Sequence, residues 1–476
     1  MKFLIKCLWE SPTFNTLVNK SSGLLKLFLV FPLVIIHFSE IELAVWLLFG
    51  SIIFISDLLH QQTSLMASRM VAACYGGAVN LDALEYGKIK NKSDPNWSLL
   101  EKLYSSLRFI NFSTATVGFL VSLCFGWFTL SPLCKEILEP KEIWISLFVL
   151  IGGQFLSQAF GRYASVIRGM NFVALNSRWE AFFSLLATFV VTIGIRNGFG
   201  LLEVILIQQG FSCLSIIRRK FLLNFVIKGR FSLTASSSIN LLLIRQIYTP
   251  LWKTIIRTFS LKGISRLAVI FLSRFLDIGA LNSVLITVKL FDLLEQFITV
   301  PLTSNVPMLA KKAVAGQLIN FTNDIKKLYR YCLLMQVCGA GFIIYFGETL
   351  LIILSSKSNL LGVGNLCLLA MLHFLSSQVR QSLMITTITN NIIGLKRLIL
   401  GMFFGAMLCF IVMPISPILG FILASYLPVV MFLNIYPLAE ASKLILIKPN
   451  QFIKEILILP YSFFIILIIL KITFNV

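Results

Sequence analysis

Runs of apolar residues about 20 long, enough to cross a bilayer core as a helix, follow one another almost from end to end of this chain. Their spacing predicts thirteen spans, at 22–38, 43–66, 107–130, 142–166, 178–195, 200–217, 254–275, 281–305, 330–354, 359–386, 397–414, 416–437 and 456–472. The first and seventh carry more charge than the others. The pattern predicts an all-α polytopic membrane protein, because only helices and closed barrels satisfy their backbone groups in lipid.

The connections alternate in sign. Arg69, Lys88, Lys90, Lys92 and Lys102 fall between spans two and three, and Arg168 and Arg178 between four and five. Arg218, Arg219, Lys220, Lys228, Arg230, Arg245 and Lys253 follow span six, and Lys311, Lys312, Lys326 and Lys327 lie between eight and nine. The opposite connections are short and acidic, with Glu40, Glu42, Glu136, Glu139, Glu142 and Glu348. Lys and Arg hold loops on the cytoplasmic side, so the N-terminus is expected in the cytoplasm. An odd number of spans then puts the C-terminus on the other side. The longest basic connection, 218–253, reads as an interfacial linker between two halves: a six-helix bundle over 1–217 and a second over 254–437. A basic loop and an extra span follow over 438–476.

The halves resemble each other. WLLFGSIIFISDLLHQQTSLMASRMVAACYGG in the first runs in register with SVLITVKLFDLLEQFITVPLTSNVPMLAKKAVAG in the second, placing Asp57 opposite Glu295. FGRYASVIRGMNFVALNSR likewise stands against QVRQSLMITTITNNIIGLKR, with Arg162 opposite Arg380. Six helices, a basic crossover and six related helices make the layout of a duplicated transporter.

Composition narrows the class. The 476 residues are 57% hydrophobic and only 13% charged, against about 25% charged in a soluble domain, and the mean hydropathy is +0.89. The net charge of +21 is scattered between apolar spans, which speaks for topology and against nucleic-acid binding. The nine cysteines form no CxxC pair and read as small buried hydrophobes. The first twenty residues make a poor signal peptide, since Lys6, Glu10 and Pro12 break the apolar stretch. No GxxxxGK[ST], GxSxG or HExxH is present. His37, His60 and His373 lie far apart in the sequence, and no catalytic residue, cofactor or metal ligand set is expected.

The informative residues are charges inside spans, where an ion costs at least ~2.5–3.5 kcal/mol unless it faces water or a partner. Span seven carries Arg257, Lys262, Arg266 and Arg274; Lys262 and Arg266 are four apart and share a face. Span eight carries Lys289, Asp292 and Glu295, with Lys289 and Asp292 placed to pair. Span two carries Asp57 and His60 on one face. Lys262, Arg266, Lys289 and Arg69 are the candidate lining of a cationic cavity suited to phosphate or an acidic sugar. Asp57, Asp292 and Glu295 are candidates for coupling to a proton or sodium ion.

With Glu40 or Glu42, Trp46, Phe49, Asp57 and Arg69 in hand, SEIELAVWLLFGSIIFISDLLHQQTSLMASRMVAA resembles the first two helices of the polysaccharide-exporter branch of the multidrug/oligosaccharidyl-lipid/polysaccharide (MOP) superfamily, especially Wzx-type O-antigen flippases. VPLTSNVPMLAKK, with Pro307, resembles that family's matching helix end; Leu58 and Leu59 depart from its common Phe-Gly. The resemblance implies two six-helix bundles in a MATE-like V around a central cavity. It implies alternating access without ATP in the bacterial inner membrane, for a lipid-linked anionic sugar of undecaprenyl-pyrophosphate type. The implied partners are the bilayer, that lipid and other polysaccharide-assembly membrane proteins. The rival expectations are a MATE-like drug or metabolite antiporter, an integral membrane glycan polymerase or ligase, and a scaffold without transport.

Overall fold

In the computed structural model, residues 11–78, 94–136, 140–230, 241–314, 318–388, 394–433, 437, 439–440 and 453–474 are described. Within them the apolar runs form helices α1 (Pro12–His37), α2 (Glu40–Ile52), α3 (Phe54–Tyr75), α4 (Trp97–Leu133), α5 (Lys141–Ala159), α6 (Arg162–Gly169), α7 (Val173–Arg196) and α8 (Leu201–Ile227). They continue as α9 (Leu241–Thr258), α10 (Ile264–Leu272), α11 (Ile278–Val314), α12 (Leu318–Ile353), α13 (Val363–Ile388), α14 (Leu395–Ile411), α15 (Pro417–Leu433) and α16 (Ile458–Phe474). A π-helical turn, Phe259–Gly263, joins α9 to α10. Helix occupies every one of the thirteen expected spans. Lys6, Glu10, Lys88, Lys90, Lys92, Glu139 and 231–240 of the expected linker lie outside the described residues.

The boundaries follow local chemistry. Ser11 caps α1 by accepting from the Phe14 N–H at 3.3 Å, with Pro12 in the first turn, where its missing donor is harmless. Ser39 and Glu42 cap α2 reciprocally: the Ser39 N–H donates to Glu42 Oε2 at 3.0 Å and the Glu42 N–H to Ser39 Oγ at 3.3 Å. Asn96 Oδ1 accepts from the Leu99 N–H at the start of α4. Between α7 and α8 the chain turns through Gly198, whose φ of +87° suits a residue without Cβ.

Two compact units result, one comprising Met1–Phe38 and Phe49–Thr258, the other Ser39–Leu48 and Phe259–Val476. The long run Glu40–Tyr75 is thus shared, its first turns grouping with the C-terminal unit. Residues 218–227, read from the sequence as linker, complete α8. Residues 241–253 belong to α9, which packs on α3 and α4. Its Leu243, Ile244 and Ile247 are buried in a cluster with Leu103, Leu107 and Ile110, an apolar stripe at helical spacing packed against protein where an interfacial helix would lay it on lipid.

In the N-terminal unit α3 packs on α4, α4 on α5, α5 on α8, and α7 on α8. In the C-terminal unit the same four contacts recur as α11 on α12, α12 on α13, α13 on α15, and α14 on α15. Asp57 in α3 and Glu295 in α11 occupy corresponding helices, whereas Arg162 lies in α6, just beyond the end of α5, which corresponds to the α13 that carries Arg380. α16 packs on α12 and α13, with Phe464 stacked on Phe374 at 4.6 Å between ring centroids.

Small residues permit close helix approach. A Cβ on Gly118 of α4 would sit 2.6 Å from Ser56 Oγ, and one on Gly405 of α14 would sit 3.1 Å from Pro428 Cγ. The outer surface is apolar: Trp127, Phe225, Ile353 and Leu459 are each two-thirds or more exposed, as expected where lipid is the solvent. Among the described residues seven helical runs, Glu40–Tyr75, Trp97–Leu133 and Lys141–Gly169 among them, are long and apolar enough to cross a membrane, and Pro417–Leu433 and Ile458–Thr473 are shorter apolar helices. This is a multi-pass membrane protein.

Candidate functional site

Four helices of the C-terminal unit deliver charge to one place. Along α11, Lys289, Asp292 and Glu295 recur every three residues and share a face. Across from them α13 carries His373 and Arg380, two helical turns apart. Lys262 stands in the π-turn and Arg266 one turn later in α10, and α15 contributes Tyr426. π-Helical turns often mark functional positions, because the extra residue re-aims the side chains around it.

Glu295 is the centre. Its Oε2 accepts from the Arg380 guanidinium at 2.8 Å, its Oε1 lies 3.4 Å from Lys262 Nζ, and His373 Nε2 lies 3.6 Å from Oε2. The last contact is electrostatic, too long for a hydrogen bond. Asp292 Oδ2 accepts from Arg266 at 2.5 Å. Glu295 and Arg380 are 13% and 11% exposed, whereas Lys262 is half-exposed, so the first pair holds most of its Coulomb energy and the second is screened. His373 is enclosed by Phe291 and Tyr426, with ring centroids at 5.1 and 5.7 Å.

Lys289 and Asp292, three apart on α11, are placed to pair, yet Asp292 takes Arg266, whose planar fork reaches the carboxylate directly, and the Lys289 ammonium lies 5.6 Å from the Trp46 ring centroid. A cation over an indole face is a favourable but weaker contact. Among the described residues the cluster therefore sets four cations, Lys262, Arg266, Lys289 and Arg380, against two carboxylates, Asp292 and Glu295, an excess of two positive charges before His373 is counted.

Five of the seven predicted site residues meet here. Asp57 and Arg69 belong to α3 in the other unit; Arg69 is exposed. Asp57 Oδ1 accepts from the Gln154 amide of α5, and beside it Ser56 Oγ accepts from Gln158 Nε2 at 2.6 Å. Arg162, the counterpart of Arg380, donates to the Ala159 carbonyl at 3.1 Å and to Tyr104 Oη at 3.3 Å, with the Tyr104, Phe160 and Tyr163 rings around it. Sequence reasoning missed Arg380, His373 and Tyr426 as site members. The match of Arg380 with Arg162 was the available signal for the first; nothing in the sequence singled out the other two. Among the described residues no three His, Cys, Asp or Glu side chains assemble as a metal site.

No protein-family model and no curated protein sequence matches the chain. Solved structures do. A lipid II flippase, MurJ, in an inward closed conformation, superposes with a TM-score of 0.59 at 12% identity, covering 98% of both chains. An outward-facing multidrug resistance transporter of the MATE family, in the MOP superfamily, superposes with a TM-score of 0.51 at 13% identity, covering 92% of this chain and 98% of that one. Over nearly its whole length the chain has the all-helical membrane fold of these MOP-superfamily transporters.

Proposed function

We propose that this protein is a flippase: it moves a lipid-linked anionic oligosaccharide, of the undecaprenyl-pyrophosphate type, across the cytoplasmic membrane by alternating access, without ATP and without an enzymatic step. The observation that carries the reading is the positive excess around Glu295. Cations held among apolar helices are expensive, and a surplus over the available carboxylates favours a ligand that brings negative charge. Arg266 and Arg380 offer the planar donors that pyrophosphate accepts. The fold supports the same reading, since one protein that shares it is by name a lipid II flippase. Lys262, Arg266, Lys289 and Arg69 form the substrate path in this proposal, and Asp57, Asp292 and Glu295 carry the coupling ion. The basic loops and the N-terminus face the cytoplasm. The cargo class nearest the sequence resemblance is an O-antigen or related polysaccharide precursor of the Wzx type.

The drug-antiporter reading has the MATE likeness in its favour. It requires acidic side chains toward a cationic cargo, whereas the cluster carries the opposite surplus. Proteoliposomes loaded with a fluorescent lipid-linked oligosaccharide, scored by access of the label to an external quencher, separate the two. Under the flippase reading Arg266→Gln and Lys289→Gln each slow flipping at least tenfold and a cationic dye does not compete. Dye transport with unchanged flipping in both variants refutes it.

A further inference from the structure

Within the N-terminal unit a cavity of about 370 Å³ opens between α1, α5, α7 and α8. That is roughly a dozen waters' share of liquid volume and lies in the range of small-ligand pockets, about 300–1,000 Å³. It shares no residue with the cluster around Glu295. Its charged lining is Lys26 from α1, Glu180 from α7 and Arg219 from α8, with Asn19 and Gln208 beside them.

The hydrogen bonds decide what the cavity can hold. Glu180 is the one carboxylate of the lining, and both its oxygens are engaged: Oε1 accepts from Arg219 and Oε2 from the Asn19 amide, each at 3.1 Å. Neither is left to lead a cation's coordination. Of the lining's buried atoms with no hydrogen-bond partner among the described residues, Arg219 Nε and Gln208 Nε2 are donors and Gln209 Oε1 is an acceptor. Behind them Arg218 is buried, donating to the Trp179 carbonyl at 2.6 Å and lying 4.9 Å from the Phe183 ring centroid, with its own Nε and second terminal nitrogen unpartnered. Buried donors without acceptors are costly, and Arg218 and Arg219 against the single carboxylate of Glu180 make the local field positive. We infer that this cavity is an oxyanion site, taking a carboxylate or phosphate from a small free anion or from the head of a carried lipid, separate from the charged cluster of the C-terminal unit. The inference stands without the flippase reading.

Isothermal titration of the full-length protein in phosphatidylcholine nanodiscs tests it, with inorganic phosphate, glucuronate, glucose and sodium ion as probes. Phosphate or glucuronate is expected to bind, while glucose and sodium do not. Arg219→Gln and Lys26→Gln each weaken the anion by about tenfold, the scale of one charge-assisted hydrogen bond. Glu180→Gln strengthens it several-fold by removing the competing carboxylate. Displacement of glucuronate by undecaprenyl phosphate assigns the site to a lipid headgroup; failure to displace assigns it to a free anion. Glucose binding as tight as glucuronate, sodium binding, or weakened anion binding in Glu180→Gln overturns the inference. Should Arg219→Gln fail to fold, the Lys26→Gln and Glu180→Gln variants still decide.

Discussion

Replacing Glu295 by Gln keeps its shape and removes its charge. Two cations then lose their counter-ion together: Arg380 at 2.8 Å and Lys262 at 3.4 Å. Their shares are unequal. Arg380 is nearly buried, and stranding one partner of a buried pair costs ~3–5 kcal/mol. Lys262 is half-exposed, so its contact is worth under ~1 kcal/mol. The amide of the new Gln can still accept one hydrogen bond from Arg380, which returns about 1 kcal/mol. The expected loss is therefore ~2–4 kcal/mol, nearly all through Arg380. A double-mutant cycle of Glu295→Gln with Arg380→Gln, read as the midpoint of detergent-solubilised thermal unfolding by size-exclusion fluorescence, should give a coupling of ~2–3 kcal/mol. The parallel cycle of Glu295→Gln with Lys262→Gln should give less than ~1 kcal/mol. Equal couplings in the two cycles, or a Glu295→Gln protein as stable as the parent, would refute the view that Glu295 and Arg380 form the buried core of the cluster.

Gly118→Leu should destabilise by ~1–3 kcal/mol, because its Cβ meets Ser56 Oγ at 2.6 Å between α3 and α4; Gly118→Ala combined with Ser56→Gly should recover part of this in the same unfolding assay. Gln154→Leu leaves Asp57 without its amide donor and should cost ~1–3 kcal/mol, whereas Asp57→Asn with Gln154 intact should cost less, both read as unfolding midpoints. Trp46→Leu removes the ring beneath Lys289 and should slow flipping in the proteoliposome assay less than Lys289→Gln does. An equal or larger defect would place the indole itself in the substrate path.

Much of the architecture is legible because hydrophobic length is a direct physical requirement: each run near 20 residues has to span, and helix occupies all thirteen. The boundary between the units is less visible. Residues 241–253 carry Arg245 and Lys253, which marked them as linker, yet Leu243, Ile244, Ile247 and Leu251 are buried. An amphipathic stripe against α3 and α4 and one lying on a membrane surface look the same in sequence. The convergence of Lys262, Arg266, Lys289, Asp292 and Glu295 follows from helical spacing and the expense of charge in lipid. Partner choice does not. Lys289 and Asp292 are three apart on one helix, but Arg266 from α10 takes the carboxylate, a preference set by tertiary packing and by the reach of a guanidinium.

The repeat explains why Arg380 meets a carboxylate and its counterpart does not. Both units place an acid on the helix after the first span, at Asp57 and Glu295, and an arginine on the fourth, at Arg162 and Arg380. α13 runs unbroken from Val363 to Ile388, so His373 and Arg380 stay on one face and both approach Glu295. Its counterpart is interrupted at Phe160–Gly161, between α5 and α6. A break re-aims every side chain beyond it. Arg162 is turned toward the Ala159 carbonyl and the Tyr104, Phe160 and Tyr163 rings, and Asp57 is left to Gln154 on the near side of the break. One helical interruption thus separates a half-buried acid from a buried arginine in the first unit, where the uninterrupted helix joins them in the second. The same scaffold yields an amide hydrogen bond at Asp57 and an ion-paired cluster with surplus positive charge at Glu295. As the coupling candidates of the proposal the two differ in kind: an ion at Asp57 would compete with an amide, whereas an ion at Glu295 would compete directly with Arg380 and Lys262.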